Sequence, residues 1–130
     1  MQYDPHYLQF FECWNQRRFW DCHEVLEHVW LDATGQDRLF YQGLIQGASA
    51  FVHLEKMSTG PAGKLLAAGL EKLDGLPPRY MGFALREFVE LLETWQAKLK
   101  INEALGDLKF SPGMLPLLQA PETFPAPRTA

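Results

Sequence analysis

Residues 19–30, FWDCHEVLEHVW, set two histidines and two glutamates into a segment whose other residues suit the buried side of a helix. Imidazole and carboxylate groups can hold a divalent ion, exchange protons, or satisfy one another as a polar network inside a fold. Helical spacing says which of them act together. At about 100° per residue, Phe19, Cys22, Leu26, Val29, Trp30 and Ala33 form one apolar stripe, and His23 borders it. Glu27 follows one turn later on the same side, whereas Glu24 and His28 project further away. His23 and Glu27, at i and i+4, therefore address one point in space, as two ligands must, or a base and the acid that orients it.

A second helix must face this one. The short TGQD connection is followed by a run from Leu39 to Leu54 that is apolar on most sides, as expected of a central helix surrounded by others. A short connection makes the two an antiparallel hairpin, so positions whose numbers sum to about 70 lie roughly level. His23 then faces the region of Gln46, and Glu27 that of Gln42. Gln42, Gln46 and His53 share one polar face, with His53 on the order of 9 Å beyond the level of His23 at 1.5 Å per residue. Gly43 and Gly47 leave another face bare, where a neighbouring backbone can approach.

Two chemistries fit these residues. In one, Gln42 and Gln46 satisfy Glu27 and His23 in a buried polar network, because unpaired buried groups cost several kcal/mol. In the other, His23 and Glu27, with Glu24 or His53, hold zinc, manganese, iron or nickel and leave a position open for water. HEVLE also invites comparison with the HExxH helix of zinc proteases. Glu27 stands where the second histidine belongs and His28 is one position out of phase, so that reading is set aside.

The remaining elements read as helices too. Asp4 before Pro5 marks a helix start, because a carboxylate caps free N–H groups and proline tolerates the first helical position. Tyr7, Phe10, Phe11 and Trp14 carry that helix to NQRR, and the next should end near Gly35. Ser58 or Thr59 can cap a fourth helix with Leu65, Leu66, Leu70 and Leu73 as its stripe, stopped by DGLPP. Met81, Leu85, Phe88, Leu92, Trp95 and Leu99 mark a fifth over about 80–105. Prolines at 112, 116, 121, 125 and 127 forbid a helix in the last twenty residues but let Met114, Leu115, Leu117 and Leu118 dock in extended form. The final ten should be loose. The expected fold is all-α: a bundle of about five helices over 1–110 with a central antiparallel hairpin, and a Pro-rich tail over 111–130.

Composition bounds the function. At 130 residues with 47% hydrophobic content the chain can bury one real core. A net charge of −4 gives no broad positive field for nucleic acid. Cys13 and Cys22 fit no CxxC pattern and suit small apolar roles in a reducing compartment, which points to the cytoplasm. MQYDPHYLQF lacks the regions of a secretion signal, and no apolar run reaches the roughly 18 residues of a membrane span.

FWDCHEVLEHVW and FYQGLIQGASAFVHL together resemble the paired signatures of a small all-helical family, domain of unknown function 309. The resemblance covers about 7–75 and is most specific over 15–53. Its first signature falls on Asn15, Asp21, His23, Glu24, Glu27 and Trp30, its second on Gln42, Gly43, Gln46 and His53. MSTGPAG departs from the family's usual Gly-Asn and Gly-Ala pairs after that histidine. The resemblance implies a predicted metal-dependent hydrolase. An ion on His23 and Glu27, with Glu24 or His53, would lower the pKa of bound water for attack on a small ester, amide or phosphoester, with Glu24 or Glu27 as base. The alternative is a non-catalytic binding or self-association module, forming a homo-oligomer through the aromatic first helix or an exposed part of the fifth, with the His/Glu/Gln cluster as a structural network.

Overall fold

Asp4 and Pro5 start the first helix: an Asp4 carboxylate oxygen accepts the His6 N–H at 2.8 Å, and proline occupies the first turn. The computed structural model describes residues 2–122. Five α-helices, α1 Pro5–Asn15, α2 Phe19–Trp30, α3 Gly35–Glu55, α4 Thr59–Leu73 and α5 Leu85–Leu105, are followed by one 3₁₀ turn, Pro112–Met114. The described residues contain no strand, only a single bridge between Tyr80 and Phe83. The fold is all-helical.

Two boundaries differ from the sequence reading. α2 stops at Trp30 instead of near Gly35, because Arg38 reaches back to the helix end and donates to the carbonyls of Trp30 and Ala33 at 3.2 and 3.3 Å. α5 begins at Leu85, because Met81 and Gly82 have positive φ and close the Tyr80–Phe83 turn, which no helix can contain. Ser58 stands at the N-cap of α4, but its hydroxyl makes no capping bond.

Aromatic side chains build the core. Trp14 on α1 meets Phe19, Phe51 and Phe88 edge-on at centroid distances of 5.0, 5.6 and 5.6 Å, which ties α1, α2, α3 and α5 to one point. Among the described residues the only side chains with polar groups that are buried are tyrosines, Trp14, Trp95 and the two cysteines; no charged, amide or aliphatic hydroxyl side chain is. Cys13 and Cys22 are buried free thiols, both raised above the ordinary thiol pKa chiefly by burial, so they stay protonated.

α3 packs against α2 and, more extensively, against α4. The α4 contact depends on missing side chains. A Cβ on Gly69 would lie 3.2 Å from the Gly43 carbonyl oxygen and 3.4 Å from the Gly47 nitrogen, so the two backbones are nearly in contact. The bare face read from Gly43 and Gly47 therefore serves packing.

Residues after α5 return to α1. Leu115 and Leu118 are buried while Met114 and Leu117 face outward. The Trp14 indole N–H donates to the Pro116 carbonyl at 2.9 Å, and the Arg17 guanidinium to that of Leu115 at 2.8 Å. The latter helps hold Arg17 in its left-handed conformation at the α1–α2 corner. Of the final ten residues, read as loose, all but 121 and 122 lie outside the described residues. No described helix is long and apolar enough to cross a membrane.

Candidate functional site: the face of α2 and α3

The i,i+4 spacing on α2 does bring His23 and Glu27 together, with Nε2 3.2 Å from a Glu27 carboxylate oxygen. Their surroundings differ from expectation. The His23 side chain is 29% exposed and that of Glu27 50%, so the pair lies at the rim of the bundle, open to solvent. The cause is the angular offset from the apolar stripe: Cys22 and Leu26 point into the core and are fully buried, and the residues next to them reach only its edge. Glu24 lies further out, where its carboxylate accepts the Trp20 indole N–H at 3.1 Å.

On α3, Gln42, Gln46, Ser49 and His53 are all half-buried. Among the described residues no side-chain hydrogen bond joins Gln42 or Gln46 to His23 or Glu27. The His23 Nδ1 and Gln46 Oε1 are each buried without a partner, as is the Trp30 Nε1 two turns along α2 from His23. The His53 carbonyl accepts the backbone N–H groups of Lys56 and Ser58 at 3.1 and 2.9 Å and so closes α3. The two ends of the α2–α3 face differ. Arg38 lies 4.2 Å above the Trp30 ring at one end, and Trp20 lines a cavity with Val52 and Lys56 at the other.

A bound metal needs three or more converging protein donors at a site of this kind. Among the described residues no group of three His, Cys, Asp or Glu side chains could hold an ion. His53 does not complete the His23–Glu27 pair, and Glu24 is engaged by Trp20. The donor set therefore does not fit the metal centre that the family resemblance implies. His28, the other histidine of the quoted segment, instead stacks on His6 of α1 at 4.5 Å with the rings 19° apart. Sequence spacing gave no sign of two further features, Arg38 over Trp30 and the unpartnered Trp30 N–H, because both depend on how α3 begins.

Residues 7–65 match the family described as "Domain of unknown function (DUF309)". The match bears out the resemblance read from the two signatures and stops ten residues short of the span assigned to it. No curated protein and no solved structure matches the chain.

Proposed function

We propose that this chain, carrying a DUF309 segment over 7–65, is a non-catalytic helical binding module whose working surface is the face shared by the antiparallel α2 and α3. His23, Glu27, Gln42 and Gln46 are the polar lining of that face. The carrying observation is the exposure of the His23–Glu27 pair without a third donor: two adjacent groups at a rim can hydrogen-bond a partner, but they form no ion cage. The hydrolase reading draws on the same pair and ranks second, because the ion that would activate water has only two protein ligands within reach. Two buried thiols and an acidic balance support a cytoplasmic place of work and argue against nucleic acid as the partner.

Metal analysis of protein purified without a histidine tag, combined with thermal melting, tests the proposal. An ion that binds only the folded state raises its stability by mass action. The module reading expects no stoichiometric metal and one melting curve shared by untreated, chelator-treated, zinc, manganese and nickel samples. A stoichiometric ion whose removal lowers the melting temperature, restored by one particular metal, would overturn it in favour of the hydrolase.

A further inference from the structure

Residues 115–121 are held on the bundle in a manner unlike the rest of the chain. Leu115, Leu118 and Pro121 are buried, while residues 116, 117, 119 and 120 are exposed, so every third side chain points inward. That is the period of a polyproline-II helix, and Leu115 itself has φ −87° and ψ 145°. Among the described residues no backbone–backbone hydrogen bond joins this segment to a helix. Side chains read its backbone instead: Trp14 donates to the Pro116 carbonyl, Arg17 to that of Leu115, and Asn15 engages both the carbonyl and the N–H of Leu118. A Cβ on Gly82 would stand 2.6 Å from that of Pro121 and 2.7 Å from the Tyr3 hydroxyl oxygen, so the bare glycine makes room for the proline. Donors aimed at an extended backbone, with a slot for an apolar residue at every turn, are how grooves bind proline-rich peptides. The groove along α1 has this build and holds a segment of its own chain.

The tether of that segment is short and weakly closed. Phe110 packs on Phe51 and Trp95 at centroid distances of 5.9 and 5.1 Å. Between it and Leu115, two backbone bonds close the turn: the Met114 N–H donates to the Ser111 carbonyl at 3.0 Å and the Leu115 N–H to the Pro112 carbonyl at 3.2 Å. Ser111, Gly113 and Met114 are exposed, so water can replace both bonds. Ser111 is already extended, at φ −142° and ψ 151°, as suits a residue before proline. Straightened, the stretch from Phe110 to Leu115 reaches about 17 Å at 3.3–3.6 Å per residue, which can carry Leu115 out of its own groove toward a neighbour's.

We propose that residues 115–121 of one copy dock in the α1 groove of a second copy and receive its segment in return, a swapped dimer joined through opened 111–114 turns. Every contact with Trp14, Asn15, Arg17 and Gly82 is the same in both forms, which makes exchange of an identical element a low-cost route to a two-fold dimer. The closed form keeps one advantage. A short tether holds the segment at an effective concentration in the millimolar range. Monomer therefore prevails in dilute solution, and the dimer grows as protein concentration approaches that range. The groove is built on α1 and not on the α2–α3 face, so the inference does not depend on the module reading.

Two full-length variants, each broken in one half of the contact, test it by sedimentation velocity. Leu118→Asp spoils the segment and keeps the groove. Asn15→Asp combined with Arg17→Gly spoils the groove and keeps the segment, glycine suiting the left-handed conformation of position 17. Each variant alone stays monomeric at high protein concentration, whereas their equimolar mixture forms a heterodimer. A fluorescent peptide of residues 111–122 binds Leu118→Asp at least about tenfold more tightly than wild type, whose groove is filled, and does not bind the groove variant. Circular dichroism checks that both variants are folded. Should either not be, wild type alone decides, its dimer fraction rising with concentration and falling when excess peptide is added. A mixture that stays monomeric overturns the proposal, as does either variant dimerising alone as strongly as the mixture, a peptide that binds wild type and Leu118→Asp equally, or wild type that is monomeric up to millimolar concentration.

Discussion

Asn15 and Leu118, 103 positions apart, are joined by two hydrogen bonds: the Asn15 amide donates to the Leu118 carbonyl at 2.9 Å, and its side-chain oxygen accepts the Leu118 N–H at 2.8 Å. A side-chain amide matches both backbone groups of one residue, which neither aspartate nor alanine can do. Asn15→Ala should cost about 1 to 3 kcal/mol. Asn15→Asp should also destabilise, because a second oxygen would face the Leu118 carbonyl. Limited proteolysis should cut the 111–122 segment of both variants faster than that of wild type. Equal cutting rates would show that the clamp does not hold this segment.

The His23–Glu27 contact is solvent-screened, and pairs so placed are worth about 0 to 1 kcal/mol. Glu27→Gln should leave the denaturant midpoint almost unchanged. His23→Ala should lower stability by less than about 1 kcal/mol, since it also removes a buried nitrogen that has no partner. A loss of 3 kcal/mol or more in urea titration would mean that the pair is far more deeply embedded than its exposure indicates.

Glycine substitutions separate close packing from helix propensity. A Cβ on Gly47 would meet the Phe88 ring at 2.8 Å, and one on Gly43 would overlap the buried Leu73 side chain. Gly43→Ala and Gly47→Ala should each destabilise by about 1 to 3 kcal/mol, the usual cost of overpacking. Gly60→Ala meets nothing within 4 Å and should be neutral or stabilising by up to about 1 kcal/mol. Thermal melts giving all three the same sign would contradict the packing account, in which Gly43 makes room for Leu73 of α4 and Gly47 for Phe88 of α5.

Alkaline pH should weaken the fold. Burial pushes the Tyr41 hydroxyl up to about 12, aided by the nearby Asp37, and Tyr7 is also raised chiefly by burial. Tyr80 rises to about 12 as well, through burial and then the 2.6 Å hydrogen bond it donates to Asp37. Each group holds its proton more tightly folded than unfolded. For Tyr41 and Tyr80 the contribution is therefore complete below the ordinary tyrosine pKa of about 10 and is lost as pH rises through about 12, and that of Tyr7 is lost only at higher pH. Melting temperatures measured from pH 8 to 12 should fall above 10, and Tyr80→Phe should blunt the fall.

Helices and their inner faces were legible because caps and periodicity are local. Asp4–Pro5, the Trp14 stripe and the bare Gly43–Gly47 face could each be read from a few neighbouring residues. The burial of His23 and Glu27 was misjudged because it depends on how closely α2 and α3 approach, a distance that spacing along one helix does not contain. For the same reason Gln46 could be placed level with His23 without bonding to it. The start of α5 was missed because Met81 takes a left-handed conformation that its residue type disfavours. The turn there is held by Tyr7, whose hydroxyl donates to the Met81 carbonyl at 3.0 Å from 74 positions away.

The acceptors for Trp14, Asn15 and Arg17 at Leu115, Pro116 and Leu118 impose an order in time. A ribosome adding about 5 to 20 residues per second needs roughly 5 to 20 s to travel from the first helix to the segment that seals it. Throughout that interval the indole N–H of Trp14 and the amide of Asn15 have no intramolecular acceptor from this segment, and the aromatic side of α1 is incompletely covered. Until residues 115–118 are made, the side of α1 that carries Trp14 and Asn15 is open to chaperones and proteases, and their arrival closes it.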